Sequence, residues 1–286
     1  MAALAKPRIT FLGANGMLGR DAVPLFEGAG HDVARGDLPE VDITSASSLA
    51  AFLDAHPSDI VLNAAAYTDV DGAESHGEEA LRINGEGARM VAEACRERGA
   101  FLIQISTDYV FPGKKPEGYL PGDPTGPAIN SYGKSKLAGE EAVRAVLPPD
   151  RVLICRTQWL YGRHGKNFVD TIRSLAASLP SLRVVDDQWG VPTHTHELAR
   201  QILWCIKAGR SGTVHAVGGG GPVTWFRFAK EIAAIAGLAC TVSPCTSADF
   251  PRPAPRPAHA WLKTVGAPPA LPWKESLRDY LRGVCP

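Results

Sequence analysis

Tyr132 and Lys136 stand four positions apart in Tyr132-Gly-Lys-Ser-Lys136, at the opening of a segment with helical patterning. Residues at i and i+4 share a helix face, so the spacing predicts an ammonium beside a phenol. A neighbouring positive charge favours phenolate and lowers a tyrosine pKa. Such a tyrosine can pass a proton to or from a carbonyl or alcohol oxygen near neutral pH. Thr107, in Ser106-Thr107-Asp108 at the end of an apolar run, can place a hydroxyl on the same oxygen. YxxxK arises easily by chance, and an exposed helix pair is the competing reading. What favours catalysis is the company these residues keep.

A glycine turn, Gly13-x-x-Gly16-x-x-Gly19, lies between the first apolar run and the first helical pattern. Absent side chains let a backbone approach a pyrophosphate, and the following helix start supplies free N–H groups and positive dipole. Asn15, Met17 and Leu18 fill that turn and helix start and are expected at the same cofactor. Asp37 follows the second strand, 18 residues after Gly19. An acid there accepts hydrogen bonds from an adenosine ribose and favours NADH; Arg35, two residues earlier, could meet a 2′-phosphate and keeps NADPH open. Asp42 and Ile43 border the expected adenine, although a carboxylate at a helix start explains Asp42 equally well. Asn63-Ala64-Ala65-Ala66 ends the third strand, where small residues leave room for a ligand at the carboxyl edge of an open sheet; a plain packing site is the alternative.

These residues need a frame. Short apolar runs at 8–12, 31–35, 59–63, 101–105 and 151–156 alternate with a helical pattern through Val23, Leu25 and Phe26 that Gly28 and Gly30 end, and with others over 49–55, 78–98 and 132–146. This alternation is that of βαβ units and predicts an α/β fold, a doubly wound parallel sheet with helices on both faces. After residue 156 the pattern loosens. A helix over 196–207 and a strand over 212–217 can return to the first sheet, and helices are expected over 225–236 and 273–281. Pro251, Pro253, Pro255 and Pro257 alternate within 244–272, which predicts a tethered surface segment, since proline lacks a backbone donor. The expected division is a Rossmann-like NAD(P)-binding domain over 1–158, completed by 194–218, and a smaller α/β substrate lobe from 159–193 and 219–286.

The composition narrows the partners. Thirty Lys and Arg balance thirty Asp and Glu across 286 residues, which argues against a broad nucleic-acid or anionic-membrane surface. Six cysteines form no CxxC pair or zinc-finger spacing, so no metal site is expected and the thiols read as reduced, in a cytoplasmic protein. No apolar stretch approaches a membrane span, and no signal peptide is read at the N-terminus. The expected partner is a small molecule, the expected state a monomer or homodimer.

Taken together, Gly13–Gly19, Asn63-Ala-Ala-Ala-Tyr-Thr-Asp-Val-Asp71, Asn84-x-x-Gly87, Ser106-Thr-Asp-Tyr-Val-Phe-Pro-Gly113, Tyr132 through Glu140, Arg156-Thr-Gln-Trp-Leu-Tyr-Gly162, Asn167-Phe168, Asp187 through Thr193 and Arg256-Pro257 carry a resemblance. The chain resembles the extended short-chain dehydrogenase/reductase superfamily and, within it, the dTDP-4-dehydrorhamnose reductase family. That resemblance implies reduction of the C4 keto group of dTDP-4-dehydro-L-rhamnose by NADPH or NADH, with Thr107, Tyr132 and Lys136 as the catalytic trio. It implies that Thr68, Val70, Asp108, Tyr109, Trp159 and Asn167 lie near the deoxysugar or its carrier. Trp159 offers an apolar face to a sugar, or else serves as a core aromatic under the second lobe. Arg256 either meets the substrate diphosphate or stands solvated in its proline-rich loop. Two positions depart from the family pattern: Gln158 replaces its usual serine, and His259-Ala260-Trp261 follows Arg256-Pro257 where a small polar residue is usual. Sugar-nucleotide dehydratases of the superfamily carry an Asp-Glu pair after the threonine, whereas here Tyr109 follows Asp108; 4-epimerases consume no cofactor. Other readings are a reductase of another dTDP-4-keto-6-deoxy sugar, and a non-catalytic NADP-binding subunit like the regulatory β subunit of methionine adenosyltransferase.

Overall fold

A computed structural model describes residues 6–266 and 270–283; Cys285 lies outside them. The chain begins β1 (Ile9–Leu12), α1 (Met17–Gly28), β2 (Val33–Gly36), α2 (Ala46–Ala55) and β3 (Ile60–Asn63). It continues through α3 (Gly72–Ser75), α4 (Gly77–Leu81), α5 (Ala88–Arg98), β4 (Phe101–Thr107), α6 (Ser131–Val146) and β5 (Val152–Thr157). Then follow β6 (Leu160–Tyr161), α7 (Phe168–Ser178), β7 (Ser181–Val185), β8 (Trp189–Gly190), β9 (Thr193–His194), α8 (Thr195–Lys207) and β10 (Gly212–His215). The last elements are β11 (Val223–Thr224), α9 (Trp225–Ile235), β12 (Thr241–Cys245) and α10 (Trp273–Arg282).

Six strands form one sheet in the order β10-β5-β4-β3-β1-β2, every pair parallel. Both faces are covered, as continuous apolar strands require. Strand alternation divides the core in two. Ile9, Phe11, Ile60, Leu62, Ile103 and Leu153 pack with Phe26 of α1 and with Leu198 and Ile202 of α8. Leu12, Val61, Leu102 and Ile154 face the other way, onto Leu49 of α2, Val91 and Cys95 of α5, and Val143 of α6. The chain leaves β1 for β2 on one side and returns to β3 on the other. That reversal opens a crevice at the carboxyl ends of β1 and β3, where open α/β sheets bind ligands.

A third apolar cluster joins Tyr161, Val169, Phe228, Ile232, Trp273 and Leu277, with β7 and β12 paired parallel beside it. Two sequence expectations change. The helix expected over 78–98 is interrupted, with a π-helical stretch Arg82–Gly87 between α4 and α5. Its cause is the close approach of α6, since a Cβ on Gly139 would collide with the Asn84 carbonyl. The irregularity frees Asn84, whose side chain bonds the backbone of Tyr67 at 2.9 and 3.0 Å and Ser135 Oγ at 2.9 Å. The proline-rich segment is also more than a surface tether. Ala254, Pro257, Ala260 and Leu262 are buried, and the segment forms a strap held by backbone bonds: His259 N–H donates to Gly113, Trp189 N–H to Ala258, and Tyr119 N–H to Trp261.

Candidate active site

Asn130 caps α6, accepting from Gly133 N–H at 2.7 Å, while its own amide donates to Pro255 in the strap at 2.8 Å. This cap starts the helix where Tyr132 and Lys136 reach the end of β4. Lys136 is buried, and its Nζ donates to the Ile105 carbonyl at 2.8 Å. Thr107 Oγ1 donates to Asp108 Oδ1 at 2.9 Å and accepts from Tyr109 N–H at 3.3 Å. Tyr109 meets the Tyr132 ring edge-on, with centroids 5.5 Å apart.

Burial decides the electrostatics here. It pushes the Asp108 carboxyl up to about 7, against hydrogen bonds from Thr107, Gln158 and the backbone. Burial, and then the Asp108 charge, push the Tyr132 hydroxyl well above its ordinary value, against a hydrogen bond with Thr107. Burial also pulls Lys136 down to about 8, against the charge of Glu140. The sequence expectation that Lys136 lowers the Tyr132 pKa is therefore corrected. The ammonium bonds a backbone carbonyl, and desolvation and then the Asp108 charge raise the phenol. The structure instead holds Tyr132 in its protonated, donor form.

Beneath Lys136 lies a network that the sequence reading did not assign. Glu140 accepts from Ser106 Oγ at 2.6 Å, Arg144 at 2.9 Å and Arg156 at 2.8 and 2.7 Å. Glu140 and Arg156 are both 1% exposed, and Arg156 also lies 4.9 Å from the Phe111 ring centroid. Burial works to raise the Glu140 pKa, and its cationic and hydroxyl partners outweigh it, leaving the carboxyl lowered. The available signal was spacing, because Glu140 is one helical turn beyond Lys136.

A cavity of about 940 Å³ joins this cluster to the glycine turn, a size suited to a cofactor and a small substrate. Its wall contains Gly13, Asn15, Gly16, Met17, Leu18, Asp37, Asp42, Ile43, Ala64, Ala65 and Ala66 at one end. Thr68, Val70, Thr107, Asp108, Tyr109, Tyr132, Lys136, Gln158 and Trp159 complete it. The turn fits a pyrophosphate. Helix α1 starts at Gly16 without a side-chain cap, leaving first-turn N–H groups for a ligand. A Cβ on Gly13, at φ +84°, would stand 2.7 Å from Ala65 N, so only glycine lets β1 and β3 close there. Asp37 accepts from the N–H groups of Asn15 and Leu38 at 2.8 and 2.9 Å, which orients the carboxylate. Arg35 forks onto Glu27 at 2.8 Å instead. Asp42 accepts both the N–H and the hydroxyl of Thr44, whose Oγ1 also accepts from Arg82 at 2.6 Å. Arg82 and Lys166 line the wall as well, cations not singled out by any sequence motif.

Four expected site residues stand outside that wall. Gly19 lets α1 seat on the strand end, since its Cβ would lie 2.5 Å from the Ala14 carbonyl. Asn63 points into the sheet and donates to Gln104 at 3.0 Å. Asn167 caps α7 and holds the Gly162 carbonyl at 2.9 Å. Arg256 is paired with Asp71 at 2.6 Å and donates to the Ala254 carbonyl. Trp159 has left-handed backbone, φ 47°, and stacks on Trp225 with centroids 3.4 Å apart at 10°. A Cβ on Gly190 would overlap its indole. It is thus both a packed aromatic and part of the cavity wall.

A family model described as the RmlD substrate binding domain matches residues 7–284. A dTDP-4-dehydrorhamnose reductase of Streptomyces griseus is 40% identical over 296 residues, covering 100% of this chain and 96% of its own. A dTDP-4-keto-6-deoxy-D-glucose reductase of Streptomyces niveus is 43% identical over 218 residues, 76% of this chain and 75% of its own. The solved structure of a Bacillus anthracis dTDP-4-dehydrorhamnose reductase in complex with NADP superimposes with a TM-score of 0.92 at 36% identity, covering 98% of this chain and 100% of that one. With the parallel sheet, the glycine crevice and the Thr107–Tyr132–Lys136 cluster already in place, this chain belongs to the dTDP-4-dehydrorhamnose reductase family.

Proposed function

We propose that this chain is an NAD(P)H-dependent oxidoreductase that reduces the C4 keto group of dTDP-4-dehydro-L-rhamnose to the alcohol of dTDP-L-rhamnose. The observation that carries the proposal is the single cavity in which the glycine turn and the Thr107–Tyr132–Lys136 cluster meet. A reduced nicotinamide supplies hydride when bound there. Gly13, Gly16 and the N-terminus of α1 would hold its pyrophosphate, and Asp37 its ribose. Asp37 is an argument for NADH, while the B. anthracis relative was solved with NADP; both cofactors belong in the assay.

The chain's own residues handle the proton. Tyr132 is kept protonated by burial and by the Asp108 charge, which suits donation to an oxygen that becomes an alkoxide. Lys136, anchored on Ile105, supplies positive charge inside a dry wall. The pairing of a 4-keto-6-deoxy sugar with Trp159, and of the substrate diphosphate with Arg256 once its bond to Asp71 opens, belongs to the same proposal, as does placing the sugar between the Rossmann-like domain and the C-terminal lobe. No helix among the described residues is long and apolar enough to cross a membrane. With the five described cysteines free, we place the enzyme in the cytoplasm, working as a monomer or homodimer. The test is oxidation of NADPH and NADH with dTDP-4-dehydro-L-rhamnose generated in situ. Stoichiometric oxidation that depends on the 3,5-epimerised sugar is expected. Cofactor binding without oxidation would overturn the proposal in favour of a regulatory role, and oxidation with another 4-keto sugar alone would move the substrate.

A further inference from the structure

Gln158 ends the strand next to the catalytic cluster and is 3% exposed. Both ends of its amide are used. Oε1 accepts from Leu262 N–H, in the strap, at 2.8 Å. Nε2 donates to Asp108 Oδ2 at 3.1 Å. A backbone N–H can only donate, so Leu262 sets which way the amide faces and turns its NH₂ onto Asp108. The other Asp108 oxygen takes the hydroxyl proton of Thr107. That proton is then committed, and Thr107 presents lone pairs, one of them to Tyr109 N–H.

We propose that Gln158 is a positioning residue that ties the strap at Leu262 to the Asp108 carboxylate and, through it, sets the direction in which the Thr107 hydroxyl donates. The proposal rests on the reading of Thr107 and Tyr132 as catalytic. The bridge is specific to the long amide: a serine hydroxyl, usual at this position in the family, is too short to span from the strap to Asp108. A shift of the strap at Leu262 would thereby be felt at the Asp108–Thr107 end of the site. Leucine, methionine or any apolar side chain here would strand a buried N–H and a buried carboxylate together.

Two variants separate the two ends of the bridge. Gln158→Met keeps length and volume but makes neither bond. Gln158→Glu keeps the acceptor for Leu262 and places a second carboxyl against Asp108. The direct readout is the Asp108 carboxyl titration, followed by NMR of protein labelled at aspartate carboxyl carbons and assigned with Asp108→Asn. Tyr109 and Tyr132 are the titratable side chains that feel the Asp108 charge, Lys136 shares α6 with Tyr132, and Arg256 bears on Tyr109; none is altered by either substitution. Asp108 is expected to titrate at higher pH in both variants, because a bond to its ionised form has gone and, in Gln158→Glu, a like charge has arrived. For turnover, Gln158→Met is expected to lower kcat about 10-fold or more, the usual consequence of losing a hydrogen bond to a charged group, with NADPH affinity within about twofold. Gln158→Glu is expected to work at acid pH, where the two carboxyls share a proton, and to fail as pH rises. An unmoved Asp108 titration in both variants, or a Gln158→Glu pH profile that superimposes on the parent, overturns the proposal. If Gln158→Met does not fold, Gln158→Glu carries the test alone. A parent without keto-sugar turnover refutes the proposed function, and the Asp108 titration still decides Gln158.

Discussion

Replacing Glu140 with glutamine removes one negative charge from the floor of the site and little volume. The carboxylate is 1% exposed and takes both fork donors of Arg156, itself 1% exposed. Removing one partner of a buried pair costs about 3–5 kcal/mol, because the other charge is left uncompensated in a low dielectric. Glutamine retains one acceptor, and Arg144 reaches Glu140 from a half-exposed position, so the lower bound applies, about 3 kcal/mol. In a chain of this size about 2 °C of melting temperature accompanies each kcal/mol, which gives a fall of about 6 °C. The second consequence is catalytic. Burial holds Lys136 down to about 8, and Glu140 is the charge that opposes this. Without it the ammonium loses its proton at lower pH, and the basic limb of the kcat/KM profile moves down with it. The assay is thermal melting beside a pH–rate profile for Glu140→Gln and its parent. A melting temperature within about 1 °C of the parent, together with an unmoved basic limb, would refute both the buried-pair energetics and the role assigned to the network under Lys136.

Tyr132→Phe is expected to cut kcat by about 10²–10⁴ with cofactor affinity nearly unchanged, read by turnover and by fluorescence titration with NADPH. Gly190→Ala drives a methyl into the Trp159 indole and is expected to unstack it from Trp225; the signature is a changed tryptophan emission and a keto-sugar KM raised about tenfold, at a stability cost of about 1–3 kcal/mol. Acid should destabilise the fold above the range in which ordinary carboxylates titrate. Burial holds His194 and His215 down to about 4 from 6.5, so the unfolded state binds more protons between these values. Their contribution is full above about pH 6.5 and is lost as pH falls towards 4, up to about 3 kcal/mol for each, which urea titrations across that range will show.

The glycine-turn end of the cavity was legible because its determinants are local. Gly13, Gly16, Asp37 and Ala64 lie within a few residues of the strand ends that carry them, and the parallel sheet follows from the alternation of β and α patterns. Tyr132 and Lys136 were legible through one helical turn. The substrate half was not, because its contacts join segments far apart in the chain. Arg256 meets Asp71, Asn130 meets Pro255, and Gln158 meets both Asp108 and Leu262. Asn167 shows the converse error: a polar residue beside an expected sugar is spent on a helix cap and the Gly162 carbonyl.

The sequence by itself determined the parallel sheet, the glycine crevice and the shared helix face of Tyr132 and Lys136, the side chains proposed to handle the proton, since periodicity, turn chemistry and i,i+4 spacing are properties of short stretches of chain. Only the tertiary structure decided their protonation. Spacing alone puts an ammonium near a phenol and predicts a lowered tyrosine pKa. Burial reverses it: Lys136 bonds a backbone carbonyl, and desolvation and then the Asp108 charge raise the Tyr132 pKa. A pKa depends on how much water and which charges surround a group from every direction, and that is known only once distant segments have packed.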